Sequence, residues 1–346
     1  MMIVSGPHTR FGLMFRQPAD PGLKTGRNMS AFSIQIPLPS TTTPALSANP
    51  HGIAEMPSFS SALPILNSCA ELCDFFEVSE FSLKRFCFRA EEYYHKFQRK
   101  KKSGNGTRKI CAPSPELKVL QRKIKTEILD RVDLHDACTG YRRGMSIVSN
   151  ASIHVEQRCI LNIDIKDFFQ SIGTARVAGY FAALGYPDEV AVLLSKLCCF
   201  QNALPQGAPS SPALANLICH KLDRRLAGLA GVNKMKYSRY CDDITFSTQG
   251  RINTGMVELL TSILQEEGFT INSEKTRILS RKSCQIVTGL TVNSKVNIPR
   301  RKRRRIRAIF HQSGNSRFRN QRQHDYLNGL ASFLKMVNKN SAVLLS

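Results

Sequence analysis

The sequence predicts an α+β fold. Three observations predict it. Residues 235–247, MKYSRYCDDITFS, read as strand, tight turn, strand. Residues 159–169, CILNIDIKDFF, open with a buried strand, Cys159 to Ile165, that ends in acid. Around and between these segments, apolar residues recur at helical spacing, as at Met256, Leu259, Leu260, Ile263 and Leu264.

The elements follow in order. Residues 1–60 are rich in Ser, Thr and Pro and show no hydrophobic periodicity. They read as disordered or as an extension upstream of the true start, with Met29 and Met56 as alternative starts. The first residues are basic and poor in acid, superficially like a transit peptide, and contain no long apolar stretch of a secretory signal. From Cys69 to Phe97 two helices fit. The first carries Leu72, Phe75 and Phe76; the second, starting near Ser82, carries Leu83, Phe86, Tyr93 and Phe97. In the basic stretch HKFQRKKKSGNGTRKI, Gly104 and Gly106 mark a turn joining two short strands. Pro113 and Pro115 precede a helix from Glu116 to about Arg131. Further helices are expected at 174–184 and 187–199. A breaker-rich loop, LPQGAPSSP at 204–212, leads into a helix over 213–229. After the helix at 252–269 come short strands at 270–279, 284–292 and 295–298, then a very basic helix and an apolar one in 299–346.

Composition narrows the function. The 346 residues are 42% hydrophobic, enough for one large core or two to three subdomains. Lys and Arg number 49 against 26 Asp and Glu, a formal net charge of +23. Such a charge points to a polyanion, nucleic acid or an acidic membrane surface. No run approaches the roughly 18 apolar residues of a membrane span, which argues against the membrane. The eleven cysteines include no CxxC pair, and the Cys69/Cys73 spacing has no second pair nearby, so a zinc site is not expected. Reduced, buried thiols in a cytosolic protein fit better.

Against that basic background one acidic constellation stands out. Asp164 ends an apolar strand, and Asp242 and Asp243 sit at a hairpin tip. An isolated Asp–Asp turn is ordinarily only a polar turn, since Asp favours turns. Phosphoryl transfer between nucleotides gives a second use for it. Two divalent ions about 4 Å apart clamp the attacking and leaving oxygens. Magnesium takes hard oxygen ligands. Strand ends and hairpin tips bring carboxylates from distant sequence to one point.

YCDD at 240–243 resembles the YxDD box of reverse transcriptases. NIDIKDFF at 162–169 resembles their first palm motif, LPQGAPSSP the motif between, and GFTINSEKTRI at 268–278 the motif after the hairpin. All four occur in the family order. NASIH at 150–154 and VTG at 287–289 match the NAxxH and VTG segments of bacterial retron reverse transcriptases. The resemblance implies a right hand: α/β fingers and an antiparallel-sheet palm backed by helices over 61–298, and a small basic helical thumb over 299–346. The expected tail lacks the maturase and endonuclease modules of a group II intron protein.

The resemblance also implies roles. Asp164, Asp242 and Asp243, with the carbonyl of Ile165, hold two magnesium ions. Phe169 stands where the family places an aromatic beneath the sugar, selecting dNTPs. Of Phe168 and Phe169 one is core, because strand neighbours point to opposite faces. Gln206 and Gly207 meet the incoming nucleotide. Arg108 and Lys109 fall where the fingers contact its triphosphate, or else meet the RNA backbone. Lys275 is a general acid for pyrophosphate or a surface charge. Asn150, His154, Val287, Thr288 and Gly289, with Arg300, Arg301, Lys302, Arg303 and Arg304 of the thumb, are candidates for RNA recognition; His154 alone equally suits a hydrogen-bonded structural histidine. In retrons a guanosine 2′-hydroxyl primes synthesis, giving a branched RNA–DNA hybrid called msDNA, and an effector protein commonly joins the enzyme in defence against phage. Other bacterial reverse transcriptases, of group II intron or diversity-generating type, and a non-catalytic RNA-binding scaffold are the alternatives.

Overall fold

The structure, a computed structural model, describes residues 59, 61–100, 106–314 and 321–338. The segment up to residue 58, expected to be disordered or a misplaced start, lies outside them, as does Gly104.

Helices α1 (Cys69–Phe76) and α2 (Glu80–Phe88) begin on Ser68 and Ser79, whose hydroxyls accept from the N–H groups of Glu71 and Ser82. The second helix stops at Phe88 rather than running to Phe97. A short 3-10 turn, Ala90–Tyr93, leads into strand β1 (Tyr94–Lys100). Pairing decides this. β1 lies antiparallel to β2 (Thr107–Pro113) from Tyr94↔Pro113 to Lys100↔Thr107, and Tyr94 stacks on Phe200 with ring centroids 4.3 Å apart. Helical spacing of Tyr93 and Phe97 cannot reveal a cross-strand partner. The two expected short strands are thus present and paired.

Helix α3 (Pro115–Glu127) has Ser114 as its cap and closes in a 3-10 turn at Leu129–Arg131. Helix α4 (Ile147–Ile153) opens on a capping box of Ser146 and Ser149. Strand β3 (Cys159–Asp164) follows, then α5 (Thr174–Ala183), α6 (Asp188–Cys198), α7 (Ser211–Ile218) and α8 (His220–Val232). The last two were expected as one helix and part at Cys219. Strands β4 (Lys236–Tyr240) and β5 (Asp243–Thr248) form the expected hairpin, and α9 (Thr254–Glu266) follows on an Asn253 cap. The strand expected over 270–279 shortens to β6 (Arg277–Ser280), and that over 284–292 becomes a small hairpin, β7 (Ile286–Val287) and β8 (Leu290–Thr291). Helices α10 (Arg300–Gly314) and α11 (Gln321–Val337) end the described chain.

The central sheet is antiparallel in the order β4-β5-β3-β6. Strand alternation splits its apolar residues between two cores. Leu161, Ile163, Ile244, Phe246 and Tyr237 join the large core with helices α5 to α9. Ile160 joins a smaller one with Ala151, Val287, Leu290, Ile298 and Val337. β3 is therefore apolar almost throughout, as a strand covered on both faces must be.

His154 lies fully buried against the sheet. Its Nδ1 is 2.6 Å from Ser247 Oγ and its Nε2 2.8 Å from Ser238 Oγ, so one ring pins β5 to β4. Burial, and secondarily the charge of Lys236, lowers its pKa from 6.5 to about 3. The folded ring stays neutral while an unfolded chain takes up a proton below about pH 6.5. The stability this residue contributes is complete above that pH and is lost as pH falls toward 3. Chemical denaturation at about pH 7 and about pH 5 should therefore show the wild type losing about 2 kcal/mol more than His154→Gln over that interval. Equal losses would exclude a neutral buried His154.

Candidate active site

The register of β3 on β5 places Asp164 directly opposite Asp243. Asp242 is one residue away in the turn, because Tyr240 pairs with Asp243 and leaves Cys241 and Asp242 as the two central residues. Cys241 has φ +62°, the positive value that a two-residue hairpin asks of its first central residue. A residue with a Cβ is strained there, and three contacts hold it. The Asp242 carbonyl accepts from Ile165 N at 3.0 Å, tying the turn to the end of β3. The Cys241 carbonyl accepts from Arg239 Nη1 at 3.2 Å. On its other side lies Gly140, where a Cβ would come within 2.5 Å of Cys241 N.

Arg239 has no exposed surface. It pairs with the equally buried Asp223, Nε to Oδ1 at 2.7 Å and Nη2 to Oδ2 at 2.6 Å. Tyr237 Oη donates to Asp223 Oδ1 at 2.6 Å, and Arg239 Nη1 donates to Asn216 Oδ1 at 3.1 Å. Asn216 in turn donates to the Gly140 carbonyl at 2.7 Å. A buried ion pair is a weak source of stability but a strong source of fixed geometry when its hydrogen bonds are complete. Here it sits directly beneath the acidic turn.

The carboxylates form one field. Lys275 Nζ is 2.8 Å and 2.9 Å from the two oxygens of Asp164, and Asn272 Nδ2 donates to Asp164 Oδ1 at 3.1 Å. Asp242 is pushed above the usual carboxylate range by burial and by the charge of Asp164. Asp243 is pushed up to about 7 by burial, then by Asp242 and Asp164, with Lys275 and Arg108 partly offsetting. Its side chain still opens onto a groove of about 330 Å³, which Asp164, Tyr240, Lys275, Thr288 and Gly289 also line.

This donor set suits magnesium. It consists of hard carboxylate oxygens whose mutual repulsion a cation would relieve, and the Lys275 ammonium already takes that part at Asp164. Among the described residues no three Asp, Glu, His or Cys side chains close around one point. That also fits an ion that takes one or two carboxylates and completes its shell with substrate phosphates.

The family model for reverse transcriptase (RNA-dependent DNA polymerase) matches residues 99–327. The chain is 38% identical over 284 residues to the retron Ec86 reverse transcriptase of Escherichia coli, covering 81% of this chain and 87% of that protein. The chain belongs to the retron reverse transcriptases. Two Myxococcus xanthus relatives agree. The retron Mx65 enzyme is 39% identical over 73% of this chain and 64% of its own length. The retron Mx162 enzyme is 32% identical over 80% and 65%. The protein is thus an RNA-directed DNA polymerase with the right-hand α+β fold.

The retron reverse transcriptase brings some of the other expected residues to this groove and keeps others away. Phe168 is buried and Phe169 half-buried beside it, ring centroids 5.5 Å apart. They lie in a turn, not on a strand, yet one is core and one is not. The loop with Gln206 and Gly207 is laid against β2. Cys111 N donates to the Gln206 carbonyl at 2.8 Å, and a Cβ at Gly207 (φ +131°) would come within 2.7 Å of the Cys111 carbonyl oxygen. β2 also carries the exposed Arg108 and Lys109, and the charge of Arg108 reaches Asp243.

The RNA-recognition set divides. Asn150, His154 and Val287, expected among the RNA-recognition residues, are buried. Asn150 accepts from Thr139 Oγ1 at 2.7 Å, His154 joins the two serines, and Val287 fills the smaller core. Thr288 and Gly289, at φ +46° and +79°, are the central residues of the β7–β8 turn. Thr288 Oγ1 donates to the Ile147 carbonyl at 2.9 Å, fastening that turn at the groove's rim. On α10, Arg300, Arg301, Lys302 and Arg304 are exposed and Arg303 half-buried, and Lys302 Nζ lies 4.1 Å from the Phe333 ring centroid. Sequence reasoning missed Asn272, Arg239, Asp223 and Gly140. For Arg239 the signal was weak: β4 reads KYSRY, with a second cation at Lys236, and only its place next to the acidic turn marks Arg239 out.

Arg239→Lys keeps the charge but not the fork that spans Asp223 and the Cys241 carbonyl. It should fold and bind primer–template with little change, while single-turnover nucleotide addition falls about a hundredfold. A rate within about threefold of wild type would remove Arg239 from positioning the turn.

Proposed function

We propose that this enzyme copies a structured non-coding RNA into branched msDNA by two-metal nucleotidyl transfer. The observation that carries the reading is that Asp164 and Asp243 face each other across β3 and β5 and line one groove, with Asp242 next to them in the turn, in a strongly basic protein. Asp164, Asp242 and Asp243, with the Ile165 carbonyl, would hold two magnesium ions, Asp243 contributing less directly. When bound, such ions supply positive charge at the attacking and leaving oxygens.

The protein's own part is positioning and charge. Lys275, paired with Asp164 at 2.8 Å, serves the leaving pyrophosphate as its general acid. Arg108 and Lys109 receive the triphosphate of the dNTP, Gln206 and the exposed backbone at Gly207 hold its base and sugar, and half-buried Phe169 lies under the sugar. Preorganised cations at developing negative charge lower the barrier without reorganising. Thr288 and Gly289, which line the same groove as Asp164 and Asp243, are the part of the VTG segment that faces RNA. The exposed cations of α10, within the thumb assigned to 299–346, bind RNA phosphates through counterion release, which favours binding without reading sequence.

Priming from a guanosine 2′-hydroxyl, an effector protein and a role in defence against phage follow from kinship with the retron enzymes. All eleven cysteines are free thiols, and no described helix is long and apolar enough to cross a membrane. Both support work in the reducing cytoplasm.

Expression with the flanking locus should yield a small branched RNA–DNA species, and Asp242→Asn with Asp243→Asn should abolish it. DNA product persisting in the double variant would overturn the catalytic assignment. Activity on a generic primer–template without any branched species would overturn the msDNA reading alone.

A further inference from the structure

At the end of the sheet opposite the aspartates, three strand ends meet. Cys159 opens β3 and pairs with Thr248, the last residue of β5, and with Ser280, the last of β6. The residues just beyond these ends surround an open cavity of about 680 Å³, about twice the volume of the catalytic groove. Four cations line it: Arg158, Arg251, Arg281 and Lys282, all exposed. No Asp or Glu is among the lining residues.

Some exposed cations elsewhere pair with acids, as Lys84 does at Glu80, Arg85 at Glu92 and Lys96 at Glu91. Among the described residues, none of these four forms an ion pair. Glu156, the nearest acid along the chain, takes part through its main-chain carbonyl, which accepts from Gln249 Nε2 at 2.9 Å. The loops that carry the cations are fixed by backbone bonds. Arg281 N donates to the Arg158 carbonyl at 2.9 Å, and Asn293 Nδ2 to the carbonyls of Ser283 at 2.8 Å and Arg281 at 3.3 Å. Four like charges held together without an acid repel one another unless an anion joins them.

We infer that this cavity is a second RNA-binding site, one that grips phosphodiester backbone at the end of the palm sheet remote from the aspartates. The chemistry of its walls selects the occupant. Guanidinium groups pair with phosphate oxygens in two-pronged fashion. No aromatic ring lines the cavity, so it offers no platform on which a base or a free nucleotide would stack. It reads backbone and shape, the mode by which folded RNA is held. β3 alone, at about 3.3 Å per residue, sets this site about 17 Å from Asp164. RNA engaged at both places extends past the copied segment, so the site holds the template's uncopied part. This rests on the reading that the enzyme works on a structured RNA.

The test compares Arg158→Gln/Arg281→Gln with Lys118→Gln/Arg122→Gln, a control that removes equal charge from exposed positions on α3. The probe is a fluorescent RNA hairpin of about 40 nucleotides, bound over a range of potassium chloride concentrations. The cavity variant should lose about tenfold in affinity near 0.1 M salt, and its log–log salt slope should become shallower by about 1.5, for two lost phosphate contacts. The control should change neither, extension of a short RNA–DNA primer–template should match wild type, and unchanged melting would show both variants folded. Unchanged affinity and slope in the cavity variant, or an equal loss in the control, would overturn the proposal. Wild type that neither binds the hairpin nor extends the primer would instead overturn the reading beneath it.

Discussion

The pairing of β3 with β5 is the constraint on which the rest depends. Asp164 and Asp243 face each other only because Cys159 pairs with Thr248 and every residue between keeps step. A slip of one residue would turn Leu161 and Ile163 out of the large core and move Asp164 off its partner at once. Burial therefore enforces this register: the apolar residues cannot find their core without bringing Asp164 and Asp243 together. The two cores on opposite faces of β3 make that enforcement two-sided, since Ile160 is committed to the second.

The turn itself is the less stable part of the arrangement. It carries a left-handed Cys241, two adjacent acids and a third acid across the strand, each unfavourable alone. The surroundings compensate with fixed donors. Arg239 reaches the Cys241 carbonyl from a completed buried ion pair, Ile165 holds the Asp242 carbonyl, and Lys275 with Asn272 engages Asp164. The result is a concentrated negative field with a rigid backbone, in a protein whose exterior is positive. Polyanion binding and cation binding are thus separated by a few ångströms, which is what a polymerase requires of one groove.

Much of this was legible in the sequence where the information is local. The hairpin of Tyr240 to Asp243, the strand ending at Asp164 and the loop at Gln206–Gly207 are contiguous motifs, and their breakers and alternation show. What was not legible is pairing across distance. Tyr93 and Phe97 carry helical spacing, yet a 3-10 turn ends at Tyr93 and β2 claims Tyr94–Lys100 as β1. His154 sits in a motif associated with RNA, yet two serines, at 238 and 247, claim its ring and the core claims its surface. Arg239 is marked only by its place beside the acidic turn, and its partner Asp223 lies on a helix whose approach no local pattern discloses. The VTG triplet divides in the same way: a core valine and a turn that needs positive φ explain its residue types before any RNA is invoked.

The most direct measurement is primer extension on an RNA template by purified wild type and Asp164→Asn across a magnesium titration. Asp164 is the acid that only the β3–β5 register brings to the hairpin, and the asparagine side chain preserves its shape while removing its charge. The account predicts magnesium-dependent extension by wild type and a loss of about a thousandfold in the variant, with its melting temperature kept. Extension by Asp164→Asn within about tenfold of wild type would contradict the assignment of the chemistry to these three aspartates.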